Sequence, residues 1–142
     1  MYQRIVVGAV DTEAAKLAIA EAVELANLSG AELHLVAAFD PYRDKIDPEI
    51  TPATTDANAF LAGIAGEATV AVHRHAVPGD PADALLSVAA DVDADLIVVG
   101  NKGMKGKGRI LGSVTNTVAH KANCNVLIVS TSQSTRLINS SR

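Results

Sequence analysis

The sequence predicts an α/β fold in which an open, five-stranded parallel sheet carries helices on both faces. Three observations predict it. Short apolar runs alternate with helical periodicity in the order β-α-β-α-β-α-β-α-β, the order of parallel strands joined by crossover helices. Runs such as Ile5-Val6-Val7, Leu96-Ile97-Val98-Val99 and Val126-Leu127-Ile128-Val129 lack polar alternation, as strands covered on both faces do. Hydrophobic residues make up 49% of the chain but aromatics only 3%, so the core is built from Ala, Val, Leu and Ile and suits helices packed closely on a sheet.

Ile5-Val6-Val7 is the first strand, and Gly8-Ala9-Val10-Asp11-Thr12 turns from it into a helix. Ala15, Ala18, Ile19, Ala22 and Ala26 give that helix one apolar face, and Asn27-Leu28-Ser29-Gly30 stops it. Leu33 to Phe39 is the second strand. Asp40 to Thr55 holds Pro41, Pro48 and Pro52 among charges of both signs and reads as the longest loop, of the kind that is often functional or mobile. A short helix is expected around Asp56 to Ile64. Ala68 to Val77 is the third strand, and His73-Arg74-His75 makes it the most polar, so it belongs at a sheet edge. The two histidines share a strand face without an evident third ligand, so no metal site is expected there.

Gly79-Asp80-Pro81-Ala82-Asp83 is a helix start, with Asp80 as cap and Pro81 at the first helical position. Ala82, Leu85, Leu86 and Ala89 then share a face. Leu96 to Val99 is the fourth strand. Leu111, Val114, Val118 and Ala122 form the stripe of a further helix, with His120 and Lys121 near its C-terminal end. Val126 to Val129 is the fifth strand, apolar on both faces although it comes last; pairing with a second subunit's copy would cover it. Residues 1–131 are assigned to one domain, and Ser132 to Arg142 to a polar, mobile tail.

Composition excludes several functions. A net charge of -4 does not favour nucleic acid or anionic membrane surfaces. The single cysteine, Cys124, permits no intrachain disulfide and fits a reducing compartment; it reads as a core residue. The apolar run at Ile5 to Val10 is short for a signal sequence, and no run approaches the roughly 20 residues of a membrane span. A cytoplasmic protein is expected.

Against that acidic background, the stretch from Gly100 to Ser113 holds five of the ten glycines and four of the twelve cations, Lys102, Lys105, Lys107 and Arg109. An apolar strand enters it and a serine opens a helix at its end. Glycines let backbone amides turn inward, and a helix start adds unpaired donors and partial positive charge, so this is the composition of an anion cradle. In open parallel sheets ligands bind beyond the carboxyl ends of strands where strand order reverses. If the first and fourth strands are neighbours, this loop and Gly8 to Thr12 face one another there.

The loop is not a P-loop: Gly106-Lys107 is followed by Gly108, and position 101 is Asn. Gly106-x-Gly108-x3-Gly112 approximates a dinucleotide fingerprint, but it follows the fourth strand and no acid lies about twenty residues on to hold a ribose. Gly100-x2-Gly103-x8-Gly112-Ser113, set after Leu96 to Val99, resembles instead the universal stress protein family, whose nucleotide-binding branch carries G-x2-G-x9-G-[ST] here. Ile5-Val6-Val7-Gly8, Gly79-Asp80-Pro81, Asp95 to Gly100, Gly112-Ser113-Val114 and Asn123 to Val129 carry the resemblance over residues 4 to 131.

The resemblance implies a Rossmann-like sheet in the order 3-2-1-4-5, a homodimer through the fifth strands, and ATP or a related adenine nucleotide (AMP, ADP or cyclic AMP) in the crevice, with Mg²⁺ as a possible companion. Gly100 and Gly103 would approach the ribose and phosphates. Gly112, Ser113 and Val114 would supply the phosphate-binding helix start, and Gly8, Ala9 and Ala38 would line the adenine pocket. The cations Lys102, Lys105, Lys107 and Arg109 would meet phosphate. The loop departs from the family pattern by one residue between Gly103 and Gly112. The family's aspartate after the first strand falls at Val10, with Asp11 one place later.

Three functions follow as alternatives. The first is a regulatory stress-response module that holds an adenine nucleotide. The second is a slow ATP hydrolase using Asp11 or Asp40, although the loop offers no obvious general base and no kinase parts accompany it. The third is a dimeric stress protein that binds no nucleotide and acts through partner contacts around Asp40 to Thr55.

Overall fold

Five strands form one parallel sheet in the computed structural model, which describes residues 1–8, 13–39, 63, 68–101 and 112–130. The strands are β1 (Arg4–Gly8), β2 (Glu32–Phe39), β3 (Val72–Pro78), β4 (Leu96–Asn101) and β5 (Asn125–Ser130), in the order β3-β2-β1-β4-β5. The helices are α1 (Glu13–Ser29), α2 (Pro81–Asp91) and α3 (Ser113–Lys121). This is the predicted fold class and strand order. β1 pairs with β2 and β4, with Val7 beside Leu35 on one side and Val98 on the other. The order therefore reverses between β1 and β4, at the sheet's centre.

The two faces divide by strand alternation. Ile5, Val7, Leu33, Leu35, Val98 and Val129 bury their side chains against Ala18, Ile19, Ala22, Val23 and Ala26 of α1. Val6, Val36, Ile97 and Val99 point the other way, toward Ala82, Ala84, Leu85, Val88 and Ala89 of α2 and Val118 of α3. Alanines at three turns of α1 let its axis lie close to the sheet, while the β-branched strand residues fill the space between. Burial of each large aliphatic side chain is worth about 1.5–3 kcal/mol.

Local chemistry sets the helix ends. Gly30, at φ +73°, closes α1 by donating its amide to the Ala26 carbonyl at 2.8 Å, a left-handed stop that glycine adopts without Cβ strain. α2 begins as its sequence requires: the Asp80 carboxylate accepts from the amides of Ala82 (3.0 Å) and Asp83 (3.2 Å), with Pro81 in the first turn. Asp95 ties the sheet's lower end, its carboxylate accepting from the amides of Gln3 (2.8 Å) and Arg4 (3.1 Å).

Several expectations are adjusted. The third strand begins at Val72, not Ala68, because Thr69 gives both its amide and its hydroxyl to Asn27 Oδ1 of α1, at 2.9 and 3.0 Å, and so turns out of the sheet. β3 does lie at the sheet edge. On α2, Ala84 and Val88 are buried with Ala82, Leu85 and Ala89, whereas Leu86 is only partly buried. Cys124 is half-buried; burial, and then the charge of Asp95, push its thiol pKa up, which keeps it protonated and unreactive. His73 and His75 share a face of β3, but β2 brings His34 and Glu32 to the same place. The short helix near 56–64 (Gly63 apart), the loop 40–55 and the tail 132–142 lie outside the described residues. Among those described, no helix is long and apolar enough to cross a membrane.

Candidate functional site

At the carboxyl ends of the two central strands, β1 finishes on Gly8 and β4 on Gly100-Asn101. Residues 102–111, outside the described ones, join Asn101 to Gly112 in the sequence. The two flanking ends are held together by two bonds. The buried Asn101 side chain, 3% exposed, accepts from the Gly112 amide through Oδ1 at 2.7 Å. From the first turn of α3, the Thr115 hydroxyl donates to the Gly100 carbonyl at 3.1 Å. The start of α3 is thereby fixed beside the end of β4 whatever the loop between them does.

α2 and α3 begin differently. The Asp80 carboxylate fills the N-terminus of α2, whereas α3 starts on Gly112 (φ -62°, ψ 162°), which no side chain among the described residues caps. The first-turn amides of a helix have no partner within it, so those of Ser113, Val114 and Thr115 point out of the start of α3. Gly112 and Ser113 are exposed. At the end of β1, a Cβ at Gly8 would meet, among the described residues, the Leu85 methyls at 3.8 Å. An uncapped helix start with a positive dipole end, beside a strand end lacking a side chain, is suited to an anion carried on a larger body.

Of the predicted site residues, the structure describes Gly8, Ala38, Gly100, Gly112, Ser113 and Val114, all at the carboxyl-end side of the sheet. Ala9, Asp11, Lys102, Gly103, Lys105, Lys107 and Arg109 lie outside the described residues, as does Asp40. Gly100 has an additional role. A Cβ there would fall 2.1 Å from the Ala14 carbonyl oxygen, so its bare backbone is what lets the first turn of α1 lie against β4. Sequence reasoning missed Asn101 and Thr115 altogether. The available signal was a polar residue continuing an apolar strand past its glycine, followed by a helix start with a hydroxyl in its first turn. None of the six described site residues carries a carboxylate, so any Mg²⁺ ligand from the protein would come from elsewhere.

A sequence profile described as the universal stress protein family matches residues 1–130. A universal stress protein of Mycobacterium tuberculosis is 30% identical over 145 aligned positions, covering 92% of this chain and 97% of the relative. One from Thermus aquaticus is 32% identical, covering 91% and 99%. Among solved structures, a universal stress protein in complex with cAMP superposes with a TM-score of 0.72 at 34% identity, covering 92% of this chain and 98% of that one.

Proposed function

The chain belongs to the universal stress protein family, and from that premise we propose that it binds an adenine nucleotide at the switch point between β1 and β4, as a regulatory module rather than a catalyst. The observation that carries the proposal is the uncapped start of α3, held against β4 by Asn101 and Thr115. Ser113 and the adjacent amides take phosphate, Gly8, Ala9 and Ala38 border the base, and Gly100 and Gly103 leave room for the sugar. Lys102, Lys105, Lys107 and Arg109 add four positive charges to the loop, which favours ATP over nucleotides with fewer phosphates. Asp11 serves ribose or Mg²⁺.

A second reading has cyclic AMP as the ligand, supported by the relative solved with cAMP. Titration of tag-free protein with ATP, ADP, AMP and cyclic AMP separates the two. The expected result is saturable binding tighter than millimolar, with ATP tightest; a preference for cyclic AMP selects the second reading. Absence of binding by all four at millimolar concentration sinks both and leaves partner contacts as the function.

We further propose a cytoplasmic homodimer formed by the 1–131 domain through β5. Its Val126, Leu127 and Ile128 remain only half-buried, and β5 lies at the sheet edge beyond β4; an open apolar edge strand is otherwise an aggregation hazard. Light scattering is expected to give twice the chain mass of 14.6 kDa, and Ile128→Asp to give the monomer. A monomeric unmodified protein overturns this assembly.

A further inference from the structure

On the β2–β3 side of the sheet, the face below α2 gathers three imidazoles and a carboxylate. Parallel register sets His34 beside His73 and Val36 beside His75, which puts all three histidines on one face, and Glu32 precedes His34 by one pleat on the same side. His34 is 5% exposed. Its Nε2 lies 3.3 Å from Glu32 Oε2, and its Nδ1 lies 2.9 Å from His75 Nε2. The rings of His34 and His73 stack at 4.8 Å between centroids, 15° from parallel. One donor atom each from Glu32, His34 and His73 falls within 4.8 Å of the others.

We infer that Glu32, His34 and His73 form a binding site for a divalent transition-metal ion of the zinc class, with His75 orienting His34 from behind. Two imidazoles and one carboxylate are a donor set that zinc accepts, with a fourth position left to water. Nitrogen and oxygen ligands at zinc's usual bond lengths sit about 3.4 Å apart around a tetrahedron; the His34 to Glu32 separation already matches that. His73 is exposed on the edge strand and closes the remaining gap by rotating its side chain.

The proton arrangement is compatible. Without metal, His34 donates from Nε2 to Glu32 and accepts at Nδ1 from His75. With metal on Nε2, the His34 proton sits on Nδ1 and is donated to His75 Nε2, while the His75 proton moves to its own Nδ1. Both rings stay neutral, and the ligand is fixed by the kind of backing bond that metal-bound histidines use. Arg4, the other group on Glu32, approaches Oε2 only to 3.7 Å and is 42% exposed, so it can leave without being stranded.

Such an ion would clamp the edge strand to its neighbour. The test is calorimetric titration of tag-free, chelator-treated protein with ZnCl2, followed by melting with and without zinc. One ion per chain is expected, with a raised Tm because the ion binds only the folded sheet. His73→Gln and Glu32→Gln, both at exposed or half-exposed positions, are each expected to weaken binding at least tenfold without lowering the Tm of the metal-free protein. His120→Gln, on α3, is expected to leave it unchanged. In long-range ¹H–¹⁵N spectra, zinc should shift the Nε2 signal of His34 while the proton of that ring moves from Nε2 to Nδ1. No uptake by the unmodified protein, full affinity in either ligand variant, or lost affinity in His120→Gln overturns the assignment.

Discussion

Gly100→Ala is expected to destabilise the protein by about 3 kcal/mol, the upper end of what overpacking a core costs, and to lower its Tm by about 10 °C. The new Cβ would stand 2.1 Å from the Ala14 carbonyl oxygen, 2.5 Å from its carbon and 3.0 Å from its Cβ. Two of those three atoms are backbone, in the first turn of α1, and no rotamer relieves the contact. α1 has to retreat from β4, which loosens Ala18 and Ala22 against Val98 and Val7. Gly8→Ala is the matched control. Among the described residues its Cβ meets the Leu85 methyls alone, at ordinary contact distance, so thermal melts should separate the two alanines clearly. Equal melting temperatures would show that Gly100 is not a packing glycine.

Ser113→Pro should fold normally and bind nucleotide about 10- to 100-fold more weakly, the loss of one to two charge-assisted hydrogen bonds. Proline is tolerated at the first position of a helix, where the amide has no partner within the helix. Gly112, at φ -62° and ψ 162°, already holds the extended conformation that the residue before a proline requires. The substitution therefore removes an amide and a hydroxyl from the crevice while leaving α3 in place. Ser113→Ala removes the hydroxyl alone and should cost less, so the difference reports the amide. Titration of both variants with ATP and cyclic AMP, beside their melting curves, makes the comparison. If Ser113→Pro binds as well as the unmodified protein, the nucleotide is not held at the start of α3.

What was legible in the sequence was whatever repeats at a fixed interval or caps its own neighbour. Ala15, Ala18, Ile19, Ala22 and Ala26 announced the buried face of α1, and all five are buried. Asp80 and Pro81 announced the start of α2 because a cap and its amides are two and three residues apart. The missed interactions span longer intervals. Asn101 reaches Gly112 across eleven residues, and Thr69 reaches Asn27 across forty-two. His34 sits in an apolar run and gains its meaning from His75, forty-one residues later; only strand register brings the two together. In the sequence Gly100 points toward a ligand, because its other neighbour, Ala14, is remote along the chain. The position of each glycine was visible, but the group it makes room for was not.

Ile5 lies beside Leu96, so the sheet's middle is formed by segments that lie about ninety residues apart in the order of synthesis. β1, α1 and β2 emerge first and can pair, but β1 then waits with one bare edge until β4 arrives. At ribosomal rates of about 5–20 residues per second that interval is about 3–11 s. Long-range parallel pairing is also slow in its own right, because the chain must close a large loop before the contact rewards it. The nascent protein thus passes through a half-sheet whose most apolar strand is exposed along one side, and the Asp95 carboxylate that later takes the amides of Gln3 and Arg4 latches that edge when the wait ends.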